Sequence, residues 1–149
     1  MKAKIGNLSL IIRNATKQDY QFCYRLTKQN MLQYFTKYWG GWKSEVFRKD
    51  FNPSTTKIIL KDNIRVGYYV LKSGPLCCYV DNMQLSRLVR GKGVGTYLMR
   101  LLEKQALQQN KKKVQLTVFK DNPAIRLYKK LGYKIKKDKK TSVLMEKNL

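Results

Sequence analysis

Seven consecutive residues, Arg90-Gly91-Lys92-Gly93-Val94-Gly95-Thr96, have the types and spacing to do chemistry. Three glycines in so short a span let backbone N–H groups turn toward a ligand with no Cβ in the way. Val94, Tyr97, Leu98, Leu101 and Leu102 then fall at i, i+3, i+4, i+7 and i+8, one apolar stripe on a helix. The loop therefore opens into a helix N-terminus, where unpaired N–H groups coincide with the positive end of the dipole. Such a place suits an anion, most naturally a phosphate, and Arg90 and Lys92 add charge beside it. Two common phosphate loops do not fit. The Walker A pattern needs Ser or Thr directly after Gly-Lys, where Gly93 stands; in G-x-G-x-x-G the third glycine would come one residue later. A plain glycine turn joining a strand to a helix is the structural alternative at this point.

The elements that must position this loop can be read outward from it. Leu76–Leu85, an apolar run, predicts a buried strand before it, and the helix after it extends to about Asn110. Upstream, Leu8–Arg13 predicts a strand, Thr16 with Asp19 approximates a capping box, and a helix follows to about Tyr34. An aromatic-rich stretch around Gly40-Gly41 leads to a short helix from Ser44 to about Phe51. Thr55–Leu60 and Ile64–Leu71 predict two strands joined by a tight turn at Lys61-Asp62-Asn63. Downstream, Val114–Phe119 predicts a strand, Asn122-Pro123 opens a helix that Gly132 closes, and Tyr133–Lys137 and Ser142–Glu146 predict two last strands. The order β-α-α-β-β-β-α-β-α-β-β implies an α/β (α+β) domain: a mixed, mostly antiparallel sheet of six to seven strands with about four helices.

Composition bounds what this domain does. With 149 residues, no linker and no repeat, the expectation is a single domain over 1–149, and 43% hydrophobic residues support a folded core. No run is long and apolar enough to span a membrane, and Met1–Gly6 does not start like a signal peptide, so a soluble cytoplasmic protein is expected. Cys23, Cys77 and Cys78 make a poor disulfide framework. The chain has no histidine and no C-x-x-C pair, so no metal site is expected, and acid–base chemistry falls to carboxylates, tyrosine, cysteine, backbone or water. A net charge of +23 attracts polyanions, which makes nucleic acid or the ribosome a possible partner; solvated lysines on every exposed face would explain the same charge.

The order Arg-x-x-Gly-x-Gly resembles the pyrophosphate loop of the GNAT superfamily of N-acetyltransferases. A second segment strengthens the likeness: Asn122-Pro123-Ala124-Ile125-Arg126-Leu127-Tyr128-Lys129-Lys130-Leu131-Gly132-Tyr133 is similar to the family's N-x-x-A-x-x-L-Y-x-x-x-G-[FY]. It lies one short strand after the glycine-loop helix, and the element order matches along nearly the whole chain, least well over Tyr34–Phe51. The resemblance implies acetyl-CoA as cosubstrate, without metal, and transfer of its acetyl group to a primary amine in a ternary complex. It implies that Arg90, Gly91, Lys92, Gly93, Val94, Gly95 and Thr96 wrap the pyrophosphate. Met83, Gln84 and Leu85 would lie along the pantetheine, at a bulge that splays their strand from the next. A freed N–H near Leu85 would polarise the thioester carbonyl, and Asn122 would touch the cofactor. Tyr128 would be the general acid for the departing thiolate, since a phenol of pKa about 10 is protonated at neutral pH. Tyr128 as a core residue and Asn122 as a cap are the structural alternatives.

The base is the weak point of the match. Some family members carry Glu on the strand five residues before the motif Asn, and here Thr117 stands there. Asp81, among the apolar residues of Leu76–Leu85, is the expected replacement, because burial would raise its proton affinity; Glu45 ranks behind it. The acceptor is expected to be a peptide or protein N-terminus, a lysine or a small amine. Nine acidic residues argue against a polycationic acceptor. The alternative reading is a catalytically silent module of the same fold that binds acetyl-CoA, or nucleic acid through its basic surface. A monomer or homodimer is expected.

Overall fold

The computed structural model describes residues 1–149. Eight strands and four α-helices follow in the order β1 (Lys2–Ile5), β2 (Leu8–Asn14), α1 (Tyr20–Trp39), α2 (Ser44–Asp50), β3 (Thr56–Lys61), β4 (Ile64–Ser73), β5 (Cys78–Leu85), α3 (Val94–Gln108), β6 (Lys113–Phe119), α4 (Ala124–Lys130), β7 (Lys134–Asp138) and β8 (Ser142–Asn148). The strands hydrogen-bond in the order β1-β2-β3-β4-β5-β6-β8-β7, a mixed sheet in which β5 and β6 run parallel. This is the expected architecture with one strand more than the upper estimate.

The extra strand is β1. Lys2-Ala3-Lys4-Ile5 is short and half lysine, so its alternation is hard to separate from a polar leader. Pairing settles it: Ala3 is buried opposite Leu10, and Gly6 at φ +57° turns the chain back into β2. Helix α1 reaches Trp39 rather than Tyr34, because the break lies at Gly40, whose left-handed φ of +74° ends the helix. Strand β5 starts at Cys78, and Leu76, expected inside it, is 80% exposed. At the other end of the chain, α4 begins at Ala124, one residue after Pro123.

Two compact units divide the chain, 1–70 with 82–94 and 71–81 with 95–149. In the first, β2 pairs antiparallel with β3, and β3 with β4 through a turn at Asp62 (φ +51°) and Asn63 (φ +62°). Two consecutive positive φ values give the turn the twist that matches the strands. Ala15, Cys23, Leu26, Ile58 and Tyr68 form a buried cluster, backed by Phe22, Phe47, Phe51, Leu60 and Val70. Inside it, the hydroxyls of Thr27 and Tyr68 are hydrogen-bonded to each other.

The expected capping box is present and does more than cap. The Asp19 carboxylate accepts from the Thr16 N–H at 2.8 Å, and Thr16 Oγ1 accepts from the Gln18 N–H at 3.3 Å. Asp19 is itself fully buried, and it accepts from Nη1 and Nη2 of Arg13 (2.8 and 2.9 Å) and Nε of Arg65 (2.8 Å). These bonds, Arg13 first, hold its carboxyl well below the usual carboxylate range.

In the second unit, β6 pairs antiparallel with β8 from Lys113↔Asn148 to Phe119↔Ser142, and β8 with β7. On α3, Leu98, Met99, Leu102 and Ala106 are fully buried, as are Val114 of β6 and Met145 of β8. Tyr133, also buried, donates its hydroxyl to Glu103 at 3.0 Å, and Lys147 reaches the other oxygen of Glu103 at 2.9 Å.

Candidate functional site

The glycine loop follows a 3-10 turn at Arg87–Val89 that is pinned by Val89, a residue with no exposed surface. Arg90, Gly91, Lys92 and Gly93 are all exposed, and Val94, the first residue of α3, is buried. Gly91 has φ +70° and Gly93 has φ +82°, so both need the left-handed backbone that glycine adopts without strain. No atom lies within 4 Å of where a Cβ at Gly91 would stand, and at Gly93 the nearest is Cγ2 of Ile5, at 3.7 Å. The backbone is therefore open to a ligand at the entry to a 15-residue helix, as an anion site requires. Gly95 serves packing: a Cβ there would meet Cδ2 of Leu127 at 3.2 Å.

Behind the loop lies a polar network built around Asn30. Its Nδ2 donates to Oε1 of Gln84 at 3.0 Å and to the Leu85 carbonyl at 3.2 Å. Its Oδ1 accepts from Nη2 of Arg90, while Nε of Arg90 donates to the same Leu85 carbonyl at 3.1 Å. Nε2 of Gln84 donates to Oδ1 of Asn82 at 2.8 Å. Arg90 is thus tied inward by two of its nitrogens, and the buried side chain of Gln84 is engaged at both ends. Met83 and Leu85 flank Gln84 and are half-buried. Asn30 carries no motif; the one sign of it in the sequence is an asparagine in the middle of a helix, where it is a poor helix former.

In the second unit, Asn122 and Tyr128 stand at the two ends of α4. Oδ1 of Asn122 accepts from the Ala124 N–H at 3.0 Å, the cap expected of it. Tyr128, in the last turn, has its ring 6.2 Å from that of Tyr133, edge to face. Desolvation pushes its hydroxyl above the ordinary tyrosine value of 10.0, so it carries its proton throughout the neutral range.

The surroundings expected for Asp81 are not found. It lies on the exposed face of β5, with a half-exposed carboxylate 3.2 Å from Nζ of Lys72. Strand alternation is the reason: Cys78 and Val80 take the buried face, which sends Tyr79 and Asp81 to the other. Glu45 is exposed on α2. Cys78 is buried as expected of a small hydrophobe, whereas Cys77 is only half-buried. Thr117, on β6, has its hydroxyl 2.6 Å from that of Tyr79, a residue no motif singles out. The β5–β6 ladder comprises three residue pairs, Cys78↔Val114, Tyr79↔Gln115 and Val80↔Leu116. No group of three or more Cys, Asp or Glu side chains is placed to hold a metal ion, and no helix is long and apolar enough to cross a membrane.

Residues 15–133, well over half of the chain, match the family model described as the acetyltransferase (GNAT) family. Solved structures share the fold. An Ard1 protein from Thermoplasma volcanium superimposes with a TM-score of 0.76 at 22% identity, over 94% of this chain and 97% of that one. The PaiA N-acetyltransferase from Thermoplasma acidophilum, in complex with coenzyme A, gives 0.75 at 17% identity, over 95% and 100%. The ribosomal-protein-S18-alanine N-acetyltransferase from Escherichia coli gives 0.73 at 14% identity, over 93% of each chain.

Proposed function

The chain belongs to the GNAT family of acetyltransferases, and from that premise we propose that it transfers the acetyl group of acetyl-CoA to a primary amine by direct attack in a ternary complex. The observation that carries this reading is the open, left-handed glycine loop at Gly91 and Gly93, at the mouth of α3. Acetyl-CoA supplies a thioester carbonyl as electrophile and a thiolate as leaving group.

The chain's own residues then divide the work. Backbone N–H groups from Arg90 to Thr96, with Lys92, hold the pyrophosphate, and Arg90 braces the loop through Asn30 and Leu85. Met83 and Leu85 lie along the pantetheine; Gln84 lends its backbone, since its side chain is bonded to Asn30 and Asn82. The N–H near Leu85 polarises the carbonyl, and the brevity of the β5–β6 ladder supports a splayed strand end there. Asn122 holds the start of α4 and touches the cofactor. Tyr128 keeps a proton at its hydroxyl for the thiolate, which its raised pKa favours at neutral pH. Residues 1–149 act as one catalytic domain. Three free thiols suit a reducing cytoplasm.

For the acceptor, we propose a peptide or protein N-terminus. A charge of +23 repels polycationic amines. The similar Escherichia coli enzyme is named for an alanine of a ribosomal protein.

Calorimetry with acetyl-CoA on the wild type and Gly93→Glu tests the reading, followed by thiol release with a panel of peptides and small amines. Binding by the wild type alone, with thiol release for one acceptor, is the expected result. Binding without release from any acceptor supports the silent module instead, and absence of wild-type binding overturns the acetyl-CoA site.

A further inference from the structure

Tyr79 and Thr117 form an exposed hydroxyl pair, 2.6 Å apart, on neighbouring parallel strands. Tyr79 is the register partner of Gln115, and Thr117 is the first β6 residue beyond the three pairs of the ladder. The two hydroxyls therefore stand where β5 and β6 cease to pair. Cys78, Val80, Val114 and Leu116 take the buried face, so Tyr79, Asp81, Gln115 and Thr117 share the other. Two carboxylates on that face, those of Asp81 and Glu146, are engaged. Asp81 is paired with Lys72 at 3.2 Å. Glu146, opposite Gln115 on β8, accepts from Nε2 of Gln115 at 2.6 Å and pairs with Lys136 (3.1 Å) and Lys113 (3.5 Å). These contacts, Gln115 first, hold Glu146 below the usual carboxylate range, so it is a poor proton acceptor at neutral pH.

We propose that the Tyr79–Thr117 pair receives the acceptor amine in place of a carboxylate base, and that the enzyme in consequence selects amines that are already neutral in solution. This rests on the acetyl-transfer reading above. Oxygen lone pairs of the two hydroxyls accept N–H hydrogen bonds and leave the nitrogen lone pair free to attack. The N–C bond forms from that lone pair, the C–S pair departs with sulfur, Tyr128 protonates the sulfur, and the surplus N–H proton passes to water, which also reprotonates Tyr128. No protein carboxylate gains a proton. A hydroxyl pair cannot take the proton from an incoming ammonium ion, so the fraction of neutral amine enters the rate directly. At pH 7 a peptide α-amine, with a pKa near 7.7, is roughly 400-fold richer in its neutral form than a lysine side chain near 10.4. The pair thereby favours N-termini over lysines without any contact that reads the peptide.

The test follows thiol release at saturating acetyl-CoA from pH 6 to 9.5, using an unblocked peptide and an N-terminally blocked lysine peptide. The expected kcat/KM for each acceptor rises with pH: that of the unblocked peptide bends at its amine pKa, near 7.7, whereas that of the lysine peptide is still rising at pH 9.5, below its amine pKa near 10.4. Tyr79→Phe and Thr117→Val lower kcat/KM for the acceptor about tenfold or more, the order of one productive hydrogen bond, while the calorimetric Kd for acetyl-CoA stays unchanged. Thr117→Glu installs a carboxylate and adds a rate limb in its titration range, gaining most with the lysine peptide. A bend at the same pH for both acceptors, or Tyr79→Phe and Thr117→Val with wild-type kcat/KM, overturns the inference and leaves acetyl transfer standing. A wild type that releases no thiol with any amine overturns both.

Discussion

Asn30 and Arg90, sixty positions apart, are hydrogen-bonded through Oδ1 and Nη2, and both also bond the carbonyl of Leu85. One helix side chain thereby fixes both the strand end that precedes the glycine loop and the first residue of the loop. Asn30→Ala removes the acceptor from Arg90 and the donor from Gln84. Freeing the guanidinium should raise KM for acetyl-CoA about tenfold, the equivalent of one bond of roughly 1.4 kcal/mol, with kcat nearly unchanged. Steady-state thiol release separates the two constants; a change confined to kcat would contradict the bracing role.

Gly67 tests the same region from β4. A Cβ there would come 2.8 Å from the Gln84 carbonyl oxygen and 2.8 Å from Cδ2 of Leu85. Backbone has little room to yield, so Gly67→Ala should destabilise the fold by about 1–3 kcal/mol. It should also weaken acetyl-CoA binding by displacing Leu85. Urea unfolding and calorimetry read the two effects.

Tyr128→Phe should lower kcat about 100-fold, within the range of a lost general acid, with the Kd for acetyl-CoA retained. Because burial raises the Tyr128 pKa from 10.0, wild-type activity should show no alkaline decline from this group below pH 10. Stability has the same sign. Tyr128 and Tyr133 are both raised, Tyr133 by desolvation and then by Glu103, so the folded state holds their protons more tightly than the unfolded chain. That stabilisation is complete below about pH 10 and is lost as pH rises toward the folded values. Cys23, pushed up to about 12 by desolvation from 9.0, begins the same loss near pH 9. Thermal midpoints at pH 8, 9.5 and 11 should fall in that order.

Asp19 governs the acid side. Its depressed pKa stabilises the fold fully above the unfolded carboxyl value of 3.8, and that contribution disappears as pH falls below it. Asp19→Asn at pH 7 should cost about 2–3 kcal/mol, less than a fully buried pair, since Arg13 and Arg65 are partly exposed. Urea midpoints of wild type and variant should converge as pH drops from 5 to 2.

What the sequence determined is what a few neighbouring residues decide among themselves. Glycines at 91 and 93 demand a left-handed loop, Asn122-Pro123 opens a helix, and Asp62-Asn63 turns a hairpin, because each is a matter of local φ, a missing Cβ or a side chain within reach of its own backbone. Those local facts sufficed for the element order and the family. Tertiary structure alone decided which distant groups meet. Asn30 has no meaning until α1 is laid beside the end of β5. The surroundings of Asp81 depended on which face of β5 was covered, and apolar neighbours in sequence say nothing of that in a strand whose sides alternate. Tyr79 and Thr117 become a pair only through the parallel register of two strands joined by the whole of α3. Pairing across such distance is set by the packing of the core, to which every element contributes.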